Sequence, residues 1–277
     1  MTLDASRRRF LRHLFGAGLL SAAACYPVFI ERRIVRETHY RIHISNLPPA
    51  FRGFRLVHLT DLHHGFLVSL SFIEGIVQRV NHIPRDLVVC TGDYVHERNS
   101  TAQIDRVWPA LSKLTAPVGV FAVLGNHDHW ADTERSRYWL ARSGQDLRAR
   151  AVGVERQGRR LWFAGGGDLW EDHIAIDSLL EPLPEEDCRI LLVHNPDSAD
   201  TSFKTHVDLI LAGHTHGGQV RVPFFGAPVL PVRNKAYASG LVRTDKGHAM
   251  FISRGIGWAI YPVRFNCFPE IAVLELV

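Results

Sequence analysis

The chain has 277 residues, 46% of them hydrophobic, which is enough for a sizeable core, and its formal net charge is +4. The first 36 residues hold seven arginines against Asp4 and Glu31, so the rest is close to neutral and offers nothing that argues for a nucleic-acid ligand. Four cysteines without a Cys-x-x-Cys spacing carry no structural zinc signature, and a single Cys188-Cys267 disulfide stays open.

In chain order, Ser6-Arg7-Arg8-Arg9-Phe10-Leu11-Arg12 resembles a twin-arginine export motif and precedes an uncharged run from Leu14 to Ile30. That run is at the short limit for a bilayer span, and Ala22-Ala23-Ala24 offers a small-residue cleavage site that would expose Cys25, although Ala22 stands where lipoprotein signals usually carry a larger aliphatic residue. Residues 1–36 are therefore expected to be an export signal or a retained membrane anchor, and residues 37–277 the folded domain. The leader implies the twin-arginine machinery as a partner and an exported, periplasmic or membrane-anchored location, with a cytoplasm-facing anchor as the alternative.

Residues 33–44 alternate as an edge strand does. Residues 54–60 predict a strand ending at Asp61, and from Ser69 a helix presents Phe72, Ile73, Ile76, Val77 and Val80 on one face. A buried strand over 86–91 contains Cys90, read as a small core thiol, and ends at Gly92-Asp93. A helix over 101–114 and a strand over 118–124 follow, the latter running into Gly125-Asn126-His127-Asp128. A hairpin over 152–156 and 160–164 turns at Gln157-Gly158-Arg159. Strands over 189–193 and 207–212 end at His194 and at Gly213-His214-Thr215-His216. Segments 237–243, 248–253 and 270–276 are expected to complete a second sheet. Strand and helix alternate, which predicts one α/β domain of two stacked sheets with outer helices. Each candidate ligand follows the carboxyl end of a strand, where open α/β sheets gather ligands.

The motifs Asp61-x-His63, Gly92-Asp93, Gly125-Asn126-His127-Asp128, His194 and Gly213-His214-Thr215-His216 resemble, in order, the signature of the calcineurin-like metallophosphoesterases over about residues 52–277. The strings Val193-His194-Asn195-Pro196-Asp197 and Gly217-Gly218-Gln219-Val220 are similar to an exported bacterial phosphodiesterase subgroup, some of whose relatives cleave UDP-2,3-diacylglucosamine in lipid A synthesis. The resemblance implies a four-layer α-β-β-α sandwich of two mixed sheets and two divalent metals. Asp61, His63 and His216 would bind one metal, Asn126, His194 and His214 the other, and Asp93 would bridge them. It further implies a metal-bridging hydroxide as the nucleophile. The substrate would be a phosphodiester or pyrophosphate, lipid-linked substrates included. The mixed oxygen and imidazole donors suit Mn, Zn or Fe better than Ca.

His127, not needed as a ligand, is the expected general acid, with Asp128 holding its ring. A non-catalytic metal-binding or interaction module on the same fold is the competing reading, disfavoured by the full ligand set. His58, His82 and His173 receive no role, and His64 is expected to face solvent. Asp168 reads as a turn carboxylate, and Gly165-Gly166-Gly167 lacks the Gly-Lys-Ser/Thr of a phosphate loop. Arg254 is read equally as a phosphate clamp and as a structural ion pair. Phe224-Phe225 and Trp258 to Tyr261 fit either a lipid-facing or substrate-entry surface, or ordinary loop packing.

Overall fold

The computed structural model describes residues 3–277, although the side chains of residues 3–6, 19, 20, 22 and 23 lie outside the described set. Ser6 of the export-type motif and Ala22 and Ala23 of the triplet fall among these. The leader forms helix α1 (Leu3–Cys25) and continues through a wide π-helical turn (Tyr26–Ile30) and a 3-10 turn (Glu31–Arg33). No helix among the described residues is long and apolar enough to cross a membrane.

The first sheet contains β1 (Arg36–Ile42), β2 (Arg55–Leu59), β3 (Leu87–Cys90) and β4 (Gly119–Ala122), with β1 at its edge as its alternation predicts. Its connections are the helices α2 (Leu70–His82) and α3 (Thr101–Leu111). Ser69 caps α2 by accepting the Phe72 N–H at 3.2 Å, and Ile73, Ile76, Val77 and Val80 form its buried face. Helix α4 (Asn126–Arg142) follows β4 and was not anticipated. It buries few apolar side chains, Ala131 and Leu140 among them, so its hydrophobic period is faint.

The second sheet runs β5 (Arg150–Arg156), β6 (Arg159–Gly165), β7 (Cys188–Leu192), β8 (Leu209–Ala212), then β10 (Ala249–Ile252) and β9 (Gly240–Arg243) at the far edge. The short helix α5 (Ile176–Leu180) lies between β6 and β7 in the chain. The β5–β6 hairpin turns on Gln157 and Gly158, both at positive φ, the backbone that a two-residue hairpin loop requires.

One strand lies in a different sheet from the one its sequence predicts. β11 (Glu270–Leu276) belongs to the first sheet, parallel to β1 and antiparallel to β2, and not to the second. Its residues alternate between two buried faces: Ile271 and Val273 meet the helices, while Ala272, Leu274 and Leu276 meet the other sheet. A strand buried on both sides shows only an apolar run in sequence, and that run does not name its partner.

The same alternation builds the layers. In β3, Val88 and Cys90 pack under α2, α3 and Trp108, whereas Leu87 and Val89 face Ile190, Leu192 and Leu211 of the second sheet. In β8, Leu209 and Leu211 point to that shared interior, and Ile210 and Ala212 point outward to Ile176, Leu180 and Tyr237. The result is the expected α-β-β-α order, with an outer layer on the second sheet made of α5 and loops. Cys90 is buried as expected, and burial pushes its thiol up to about 12.

The chain enters this body before residue 36. The Arg264 N–H donates to the Pro27 carbonyl at 3.1 Å, and the Cys267 N–H donates to the Glu31 carboxylate at 2.7 Å. Arg32 is buried with its guanidinium 4.2 Å from the Trp258 ring centre. Pro27, Glu31 and Arg32 therefore touch the folded body. Cys188 and Cys267 are buried but free, and the Cys267 thiol donates to the His216 carbonyl at 3.3 Å, so the disulfide does not form.

Candidate metal centre

The strand ends bring six of the seven expected ligands into one buried cluster. His63 Nε2 lies 3.0 Å from His216 Nε2, and His216 Nε2 lies 3.3 Å from Asp61 Oδ1. His194 Nε2 is 3.1 Å from His214 Nδ1. Asp93 Oδ2 sits between the two groups, 3.5 Å from His63 Nε2 and 3.2 Å from His194 Nε2. The seventh, Asn126, is buried beside them with an Oδ1 that has no hydrogen-bond partner.

This donor set fits metal ions. Ligand atoms that each stand about 2.1 Å from one ion are about 3.0–3.4 Å apart, which is the spacing between the facing nitrogens and oxygens here. Asp61, His63 and His216 form one candidate set and Asp93, His194 and His214 another. Second contacts fix the rings: His194 Nδ1–H donates to the Thr91 carbonyl at 2.7 Å, and His214 Nε2–H to the Pro231 carbonyl at 3.2 Å. Each leaves its other nitrogen turned to the cluster.

Electrostatics follow from burial. Desolvation keeps His63 and His216 well below the usual imidazole range, and burial together with the His194 charge lowers His214 to about 3. For His194 burial opposes the charged ring, but the Asp93 carboxylate reverses that and raises it to about 10. Burial raises Asp61 to about 6, whereas for Asp93 the surrounding imidazoles, His194 first, overcome burial and hold the carboxyl well below its ordinary value.

The backbone is bent to present these groups. Asp61, His63, Asp93, His214 and His216 all have φ between 49° and 69°, the left-handed region that glycine occupies most easily. Each such residue costs on the order of 1–3 kcal/mol, and strain of this kind clusters at functional sites. Gly125 is required by proximity instead: a Cβ there would run into the Asp93 carboxylate.

His127 and Asp128 open α4 and part company. The His127 N–H donates to Asp93 Oδ1 at 2.8 Å, so the start of the helix faces the carboxylate. Its ring is 4.6 Å from the His63 ring, centre to centre, and lines the cavity over the cluster. Asp128, expected to orient that ring, does not touch it. Its carboxylate accepts the N–H groups of Asp93 at 2.8 Å, Tyr94 at 2.9 Å and Gly125 at 2.9 Å. The third helical position points back over the helix start, so a carboxylate there reaches backbone donors and not its neighbour's side chain. The group that fixes His127 is the carbonyl of His96, which accepts from Nδ1–H at 2.7 Å.

Asp128 therefore braces the loop that carries Asp93, and burial and the Asp93 charge push its carboxyl up to about 7. Asp128→Ala is expected to strand three buried N–H groups, destabilising the fold by about 3 kcal/mol and weakening metal affinity about 10–100-fold. Denaturant midpoints and a competitive metal titration check this; unchanged values in both would dispose of the bracing role.

Other readings resolve plainly. Arg254 pairs with Glu270 at 2.6 Å, the structural alternative. Asp168 Oδ1 accepts the Trp170 and Glu171 N–H groups at 2.9 and 3.1 Å, as a turn carboxylate does. His64 is buried, not solvent-facing, because its Nδ1–H donates to the Val68 carbonyl at 3.1 Å across a tight turn. His58 is a core residue on Thr91 Oγ1, at 2.8 Å.

Sequence reading missed His96, Trp130 and Trp170, which line the cavity, a space of about 1050 Å3. His96 lies three residues after Asp93, a signal available in the sequence. The Trp130 and Trp170 rings, stacked 6.2 Å apart, come from segments whose proximity only the fold creates.

The calcineurin-like phosphoesterase family model matches residues 54–218. Over 285 residues the chain is 33% identical to YkuE, a metallophosphoesterase of Bacillus subtilis (strain 168), covering 98% of this chain and 97% of that one. It is also 33% identical to the phosphodiesterase YaeI of Escherichia coli (strain K12) over 288 residues, 98% of this chain and 99% of that one. Among solved structures, a dimetal phosphatase from Danio rerio aligns at 12% identity with a TM-score of 0.44, covering 74% of this chain and 88% of that one.

Proposed function

We infer the reaction from the premise that this chain belongs to the calcineurin-like phosphoesterase family and is a metallophosphoesterase. We propose that it holds two divalent ions, Mn, Zn or Fe, and hydrolyses phosphodiesters or pyrophosphates, with UDP-2,3-diacylglucosamine or another cell-envelope phosphoester as the substrate. The observation that carries this reading is Asp93 Oδ2, a single buried oxygen within 3.5 Å of a nitrogen from each ligand group. When bound, the ions would activate water for attack on phosphorus and offset charge on the phosphoryl oxygens.

The protein's own residues divide the remaining work. Asp61, His63 and His216 would hold one ion, and Asn126, His194 and His214 the other. His127, with Nδ1–H tied to the His96 carbonyl, would carry its second proton on Nε2 and deliver it to the leaving oxygen. The cavity exceeds what a small phosphomonoester fills, which supports a diester with two sizeable groups.

Stripping metal with a chelator is expected to abolish turnover of a chromogenic phosphodiester, and adding back Mn, Zn or Fe to restore it. Full activity in the metal-free protein would reject the proposal. So would stoichiometric metal without turnover of any diester or pyrophosphate tried, which favours the binding-module reading.

A further inference from the structure

The mouth of the cavity is rimmed by apolar side chains that the fold does not bury. Phe224 is fully exposed and Phe225 is 87% exposed, while Val229, Ile260 and Tyr261 are each at least 70% exposed. Val229, Ile260 and Tyr261 also line the cavity that reaches Asp93, Asn126, His214 and His216, and the Phe224-Phe225 turn adjoins it through Val220, Pro228 and Val229 in the chain. Scattered exposed apolar residues are ordinary, but a contiguous set around a site marks an interaction surface.

Two features show that these tips are held outward. The Phe224-Phe225 tip is closed by paired backbone hydrogen bonds between Val222 and Gly226, at 2.8 and 2.9 Å, so it is a formed turn. Phe224 and Ile260 both sit at positive φ, 69° and 61°. For a bulky or β-branched residue that backbone is a genuine outlier, and here no burial of the side chain offsets it. Glycine would fit either position better if folding alone mattered.

Charge selects the occupant. From residue 209 to residue 269 the only acidic residue is Asp245, whereas Arg221 lies in the hairpin itself. The Val220–Phe265 bridge joins that hairpin to the segment whose Arg264 N–H holds Pro27, which brings exposed Phe29, Ile30 and Arg33 to the same structure. Arg98 and exposed Glu97 line the cavity and offset each other, so the aromatic and aliphatic tips together with Arg221 and Arg33 set the character of the face, a composition that enters the headgroup region of an anionic membrane.

We propose that this rim is a docking surface for an anionic lipid bilayer, and that it seats the metal centre over the membrane to receive an amphiphilic phosphoester. The docking stands on the rim alone; delivery of substrate rests on the phosphoesterase reading above.

The test uses the full chain with vesicles of phosphatidylcholine, with and without phosphatidylglycerol, and the variant Phe224→Ser/Phe225→Ser. Both residues are exposed and lie outside the cavity lining, so the variant is expected to fold and to hydrolyse a soluble diester as the parent does. The parent should float with the anionic vesicles and the variant at least about tenfold less. Hydrogen exchange should slow at residues 221–229 and 259–262 when those vesicles are added. Equal flotation of the variant, without that protection, would assign binding to α1 and overturn the proposal. Hairpin-dependent self-association without vesicle binding would overturn it in favour of a second copy of the chain. Flotation of a parent that cleaves no diester would leave docking in place and remove the phosphoesterase reading instead.

Discussion

Asp93→Asn is expected to lower kcat/KM by on the order of a thousandfold or more and to deplete the bound metal. The reason lies in how both oxygens are committed. Oδ1 accepts the His127 N–H at 2.8 Å, and Oδ2 faces His63 at 3.5 Å and His194 at 3.2 Å. An amide has one acceptor to offer. Turned one way, its NH2 opposes the His127 N–H; turned the other, it fills the place between the two imidazole groups with a donor. Metal content per chain, measured beside diester hydrolysis, decides the matter: full metal occupancy with turnover within tenfold of the parent would refute the bridging role.

His127→Ala is expected to behave differently, keeping its metal while losing kcat by about 10²–10⁴-fold. The ring lines the cavity and meets the His63 ring edge-on, and its ring hydrogen bond is to the His96 carbonyl, so none of the seven expected ligands is removed. A proton donor matters most where the departing oxygen is basic. The loss should therefore be steep for alkoxide leaving groups and slight for a nitrophenolate. A plot of rate against leaving-group pKa for parent and variant tests this. Parallel lines, or metal lost in proportion to activity, would show that His127 is a structural residue.

How much could be read from sequence depended on whether a residue's role was local. Asp61, Asp93, Asn126, His194 and His214 each follow an apolar segment, and the turn out of a strand is a local event, so their convergence at one end of the sheets was legible. The period-two alternation that separates Val88 from Val89 is local too. Roles that needed a partner far along the chain were not legible. β11 reads as a strand, but the choice of β1 and β2 as neighbours belongs to the fold. Asp128 stands beside His127 in sequence, yet helical geometry sends its carboxylate to Asp93, Tyr94 and Gly125. α4 was missed because its sequence is polar: it kinks at Asp132, and its second half is tied to α3 by Arg135 and Trp139, which both donate to the Asp105 carboxylate at 2.6 Å.

The left-handed ligands have a consequence for how such a protein can change over evolutionary time. At Asp61, His63, Asp93, His214 and His216 the backbone would rest more easily on glycine, so the chemistry is kept against the local conformational preference. A mutation that erases a ligand there can leave the fold intact, or even relieve it. Descent from enzyme to silent scaffold is then a downhill step of one substitution. The return climbs, because it must restore a side chain and its strain together.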